Sequence, residues 1–243
     1  MWRVLDLLVV GIEVRMCVGV GGRCGCHGAS CGEGVALREQ RIESSRPLLH
    51  RYQASLFSLI NCSIMQPTPQ QAIAATRGWV DKAVIALTLC PWAAQADLRY
   101  VHTHAQDARA LKLDLQREID ALLRPTTPRD ATTLLVHPQA MITFDEYYPF
   151  LAEFEQHLRY ANLSEQVMVV GFHPDFLFGG EEPEDASHYT NRSPWPTTHI
   201  LRQESVTRAV EAHGDSLSIP VVNQGTLRRL GRQHMQSLLD EGG

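Results

Sequence analysis

The stretch Ala131-Thr132-Thr133-Leu134-Leu135-Val136-His137-Pro138 decides how the rest of the chain is read. Its first six residues are apolar or β-branched and carry no polar face. A strand that meets water on one side alternates polar and apolar residues. A strand without alternation is buried on both faces. Such a strand needs structure above and below it, so its neighbours are expected to be helices packed on a sheet. His137 then marks the end of the strand, and Pro138 turns the chain away.

Helix and strand signals alternate outward from this centre. Thr68-Pro69-Gln70-Gln71 reads as a capping box with proline at the first helical position. Ile73, Val80, Val84 and Leu87 mark one face of that helix, which is predicted to end before Cys90-Pro91. Leu98–His102 reads as a strand. Asp107 caps a helix with Leu111, Leu115, Ile119 and Leu122 on one face. Thr143 and Glu146 form a second capping box, and Phe144, Tyr147, Leu151, Phe154 and Leu158 follow at helical spacing, with Pro149 expected to kink the helix. Gln166–Phe172 is a third strand and runs into His173-Pro174-Asp175. Strands separated by single helices pair most simply in parallel, with right-handed crossovers.

After a long polar segment, Gly179–Pro196, a helix is expected over Thr198–His213. A short edge segment at Ser218–Val222 and a last helix capped by Asn223 complete the pattern. The fold class expected is α/β, with helices packed on a small, mainly parallel sheet of three to four strands. A ferredoxin-like α+β arrangement is the alternative. No internal repeat is found.

Composition divides the 243 residues at Met65. Residues 1–64 hold five of the six cysteines, 8 of the 17 glycines, and 7 Arg against 5 acidic residues. The remainder carries 15 basic and 22 acidic residues. Residues 1–64 are expected to be a disordered or non-native extension, and residues 65–243 a single α/β domain. Two other readings of the extension are a targeting segment and a metal cluster at Cys24, Cys26, His27 and Cys31, though the C-x-C spacing fits zinc poorly. A protein lacking residues 1–64 is expected to keep a cooperative thermal melt, and loss of that transition would contradict the boundary.

No apolar run approaches the roughly 20 residues that span a bilayer. The net charge of −5 argues against a nucleic-acid-coating surface. The expected setting is cytoplasmic, with neither membrane nor nucleic acid as partner.

All three strands end in histidine: His102 with His104, His137, and His173. Ligands of open parallel sheets bind beyond the carboxyl ends of the strands. His137 and His173 are each followed by proline, and Asp175 lies two residues past His173, close enough to orient a histidine or take a proton. Asn191-Arg192-Ser193-Pro194-Trp195-Pro196-Thr197-Thr198-His199 gathers a guanidinium, an amide and hydroxyls before the expected helix start, where anions are favoured. Arg202 offers a second cation one turn on. The expected site therefore has His173, Asp175 and His137 as acid–base groups. Asn191, Arg192, Ser193, Thr198, His199 and Arg202 are the expected binding groups. A metal at His173, Asp175 and His199 is a weaker alternative. Cys90 follows a helix, has no obvious acidifying dipole, and reads mainly as neutral. Glu181, Glu182, Glu184 and Asp185 read as a solvated acidic turn.

These motifs resemble a family of bacterial and protist proteins called domain of unknown function 1415. The matching stretches are Leu89-Cys90-Pro91-Trp92, Arg99-Tyr100-Val101, Thr132–Pro138, Phe172–Asp175, Thr190–Pro196, His199–Arg202 and Leu227–Gly231. The resemblance covers residues of about 76–231 and has no counterpart for residues 1–64. It ties the strand-end histidines and the Asn-Arg-Ser loop into one pattern but implies no reaction. The function expected is an enzyme acting on a small anionic metabolite by histidine acid–base chemistry. The alternatives are a non-catalytic ligand- or partner-binding module and a metal-dependent enzyme.

Overall fold

A computed structural model of the chain describes residues 66–240. The targeting and metal readings of residues 1–64 lie outside the described residues. The first helix, α1 (Pro69–Trp79), starts at the expected capping box. Thr68 Oγ1 accepts the Gln71 N–H at 3.2 Å, and Gln71 Oε1 accepts the Thr68 N–H at 2.9 Å. It winds on into a π-helical turn, Val80–Ile85, and closes at Thr88, whose φ is +55°.

Then follow β1 (Asp97–His102), α2 (Ala108–Leu122), β2 (Ala131–Val136), α3 (Phe144–Tyr160) and β3 (Val167–Phe172). Asp107 caps α2 by accepting the Ala110 N–H at 2.8 Å. Pro149 sits inside α3, which runs through it as one helix, and Thr143 makes no side-chain capping bond there.

Thr197–Arg202 departs most from the expected pattern. The expected helix over Thr198–His213 is instead a strand, β4 (Thr197–Arg202), followed by α4 (Gln203–His213). The reason lies in β2, which is buried along its whole length and therefore needs a hydrogen-bonding partner on each side. Thr197, Thr198 and Ile200 are β-branched and fit that slot. The sheet order is β1-β2-β4-β3. It is mixed rather than mainly parallel: β1 pairs in parallel with β2, while β4 is antiparallel to both β2 and β3. Because β4 alone is reversed, β1, β2 and β3 still point the same way. Val136 and Phe172 both lie opposite Thr197, so the ends of β2 and β3 share one edge with the start of β4.

Ser218–Val222 is likewise not an edge strand. It enters α5 (Ile219–Leu230), with Pro220 in the first turn, where a missing N–H costs nothing. Ile219 and Leu227, both buried, show the helical period. Gly231, at a φ of +82°, ends α5 before α6 (Arg232–Asp240).

Adjacent residues of β2 face opposite sides of the sheet. Leu135 joins one core with Leu111, Leu115 and Ile119 of α2 and Tyr147, Phe154 and Leu158 of α3. Leu134 joins the other with Trp79 and Val80, Tyr189, Leu227 and Met235. Each fully buried Leu or Ile contributes about 1.5–3 kcal/mol. No described helix is long and apolar enough to cross a membrane.

Gly171 of β3 lies beneath α3. A Cβ added there would sit 2.7 Å from Leu151 Cδ2 and 3.1 Å from the Tyr147 ring and hydroxyl. Leu151 can swing away, but Tyr147 is held by its hydroxyl, which donates to the Thr197 carbonyl at 2.8 Å. Gly171→Ala is expected to destabilise the domain by about 1–3 kcal/mol. An unchanged urea midpoint would show that α3 is not seated as described.

Candidate functional site

The sheet edge holds two of the three expected strand-end histidines in one buried network. His137 is fully buried; its Nδ1–H donates to the Ala140 carbonyl at 3.0 Å, so Nε2 is left as an acceptor for the Thr198 hydroxyl at 3.1 Å. The Tyr147 hydroxyl lies 2.9 Å from that same Thr198 oxygen. Burial pushes the His137 pKa down to about 4. Burial also pushes the Tyr147 pKa up, so both groups are neutral near pH 7.

His173 stacks on Tyr147, with ring centroids 5.7 Å apart. Its Nε2–H donates to the Ile142 and Met141 carbonyls at 3.0 and 3.2 Å, and its Nδ1 accepts the Asp175 backbone N–H at 3.0 Å. Asp175 thus holds the ring through its amide rather than by a carboxylate hydrogen bond. Its charge raises the His173 pKa, but burial outweighs it and the net shift is downward. Both ring nitrogens of His137 and of His173 are therefore committed to the protein's own groups. His102 stands apart, edge-to-face on His104 at 4.8 Å.

The Asn191–Pro196 segment laces this edge together. The Asn191 carbonyl accepts the His173 N–H at 3.1 Å, and the Pro196 carbonyl accepts the His137 N–H at 2.9 Å. Asn191 Nδ2 donates to the Gly171 carbonyl at 3.3 Å. Ser193 donates to the Trp195 carbonyl at 2.6 Å, within its own loop. Arg192 Nε donates to the Phe176 carbonyl at 3.2 Å, and its guanidinium lies 4.7 Å from the Tyr189 ring centre. Two expectations fail here. Thr198 sits in a strand, so this loop does not lead into a helix N-terminus at Thr198. Arg202 turns away to bond the Leu122 carbonyl, closing the end of α2.

His199 points to the opposite sheet face from Thr198, because side chains alternate along a strand. It lines a cavity of about 120 Å³. Trp79, Val80 and Leu134 belong to the floor; Trp92, Pro220 and Asn223, which are partly exposed, belong to the mouth. Asn191 and Cys90 also line it. Burial raises the Cys90 thiol pKa, and the Trp92 and Ala93 amides offset only part of that shift. His199 Nε2 is hydrogen-bonded to Thr132 Oγ1, and Thr132 spends its one hydroxyl hydrogen on the Ile200 carbonyl at 2.9 Å. The imidazole must then be the donor through Nε2–H, which makes Nδ1 an open acceptor. Burial lowers the His199 pKa to about 4.

Five of the nine expected site residues are thus divided between two sheet faces: His137, His173 and Thr198 gather around Tyr147, while His199 and Asn191 reach the cavity. Asp175 touches this network only through its amide, and Arg192, Ser193 and Arg202 bond backbone carbonyls elsewhere. The metal alternative fails on this division, since His173 and His199 lie on opposite faces. Among the described residues, no group of three or more His, Cys, Asp or Glu could hold a metal ion. The sequence reading missed the cavity, and with it Thr132, Trp79, Trp92 and α5. The π turn at Val80–Ile85 lies on its wall, and such turns often mark functional sites, but nothing local in the sequence announces one. Neither the curated proteins nor the solved structures searched contain a match to the chain. The family model described as "Protein of unknown function (DUF1415)" matches residues 71–237, and the chain belongs to that family.

Proposed function

We propose that the protein is a cytoplasmic enzyme that seats a small metabolite in the cavity over the sheet and exchanges a proton with it through His199. One observation carries this reading: a neutral imidazole, anchored at Nε2 by Thr132, leaves Nδ1 unpartnered among the described residues in a mostly apolar pocket. Apolar concave sites with few polar groups are where proteins take small molecules. The acid–base role expected at His173 and His137 passes to His199, and those two hold the edge of the sheet together on its other face. The test is a screen of single-ring compounds by thermal shift, followed by product analysis of every compound that binds. Turnover that is lost in His199→Gln supports the enzyme. Binding without turnover supports the alternative, a non-catalytic binding module, which the low basicity of His199 also favours.

An anion contact at the loop surface is proposed at Arg192. Its terminal nitrogens have no carboxylate partner among the described residues, while its Nε bond and the Tyr189 ring fix its direction. Arg192→Ala is expected to weaken phosphate or carboxylate binding several-fold and to cost about 1 kcal/mol of stability, the price of one hydrogen bond. Unfolding of that variant would make Arg192 a structural clamp.

A further inference from the structure

We infer that the ligand of this cavity is an uncharged molecule about the size of one aromatic ring, carrying an O–H or N–H donor that bonds His199 Nδ1. The inference rests on the cavity being the functional site and adds the class of its occupant.

Three observations set that class. The first is size. The cavity measures about 120 Å³, and apolar cavities of roughly 150 Å³ take up benzene. One ring fills that space. The second is charge. The lining includes no Asp, Glu, Lys or Arg among the described residues. A permanently charged ligand would be desolvated there without a partner, which is strongly unfavourable. The third is the direction of the hydrogen bond. Thr132 fixes His199 as an acceptor at Nδ1, so the matching group on the ligand must be a donor. The walls suit a ring: Trp79 and Phe172 meet edge-to-face at 5.1 Å, and both line the cavity with Trp92 and Phe178. The small anionic metabolite expected from the sequence does not suit this cavity, because its charge would find no cation in the walls.

Phenol, toluene and benzoate probe these terms one at a time. Each is titrated into the full-length protein at pH 7 by calorimetry, and the imidazole nitrogens are followed by NMR. Phenol is expected to bind about 5–10-fold more tightly than toluene, the worth of about 1 kcal/mol from one hydrogen bond. Benzoate should bind more weakly than phenol. The His199 Nδ1 resonance of the wild-type protein should move with phenol and stay in place with toluene. In His199→Phe the preference for phenol over toluene should disappear, and the wild-type NMR result stands on its own if that variant does not fold. Equal binding of toluene and phenol, or tighter binding of benzoate, overturns the ligand class while leaving the cavity as the site. No binding by any of the three overturns both readings.

Discussion

Lowering the pH from 7 to about 4 is expected to cut the stability of the domain by about 6 kcal/mol, which is of the order of a domain's entire stability. The cause is the neutral histidines. His137 and His199 are each pushed down to about 4 by burial, against about 6.5 in an unfolded chain. Between those values the unfolded state holds more protons than the folded one, so stability falls as pH falls. Each group contributes about 3 kcal/mol across the full window. His173, lowered by burial despite Asp175, adds to the loss with the same sign. Carboxylates act in a lower window. Asp185 is desolvated, yet the Ser187 amide and Arg228 hold its carboxyl below the usual value, so its contribution is lost only as pH falls below about 4. Urea titrations at half-unit pH steps separate the two windows. A flat profile between pH 6.5 and 4.5 would mean that these histidines are not buried and neutral.

Replacing His137 with alanine is expected to cost about 3–4 kcal/mol. The change strips a partner from the Ala140 carbonyl and from the Thr198 hydroxyl, both inside the protein, and leaves a void beside Tyr147. For a domain of this size that corresponds to a fall in melting temperature of roughly 8–15 °C. Tyr147→Phe removes only the hydroxyl and should cost about 1–2 kcal/mol. The double variant should lose less than the sum, because both residues meet at Thr198. Where it remains folded, His137→Ala should bind phenol as the wild type does, since His199 lies on the other face of the sheet. A loss below about 1 kcal/mol would show that His137 is not the buried clamp described here.

The parts of the fold that were legible in the sequence are those governed by local signals. The Thr68 capping box, the Asp107 cap and the apolar face of α2 all appear where their patterns place them. The unbroken apolar run of β2 correctly announced helices on both faces of the sheet. The failure at Thr197–Arg202 has a clear origin. Ile200, Leu201 and Val206 fit a helical face as well as a strand, and the choice was made by a hydrogen-bonding demand from β2, some 65 residues earlier in the chain.

That single error carried into the site. A helix there would make Thr198 and Arg202 anion ligands. As a strand, the same segment points Thr198 at His137, His199 at the cavity and Arg202 at the end of α2. The sequence singles out the histidines, but residue type alone does not distinguish an imidazole with both nitrogens engaged from one with a nitrogen left over. That difference depends on the Ala140, Met141 and Ile142 carbonyls and on the Thr132 hydroxyl.

His199 differs from His137 and His173 in having one nitrogen without a partner among the described residues. The most direct measurement is the protonation pattern of the imidazole nitrogens by NMR, on protein with nitrogen-15-labelled histidine, with His199→Gln used for assignment. His199 is expected to be neutral at pH 6, with its proton on Nε2 and a bare Nδ1, and His137 to carry its proton on Nδ1, donated to Ala140. A His199 that titrates near pH 6.5, or that carries its proton on Nδ1, would leave no free acceptor for a ligand and overturn the proposed site.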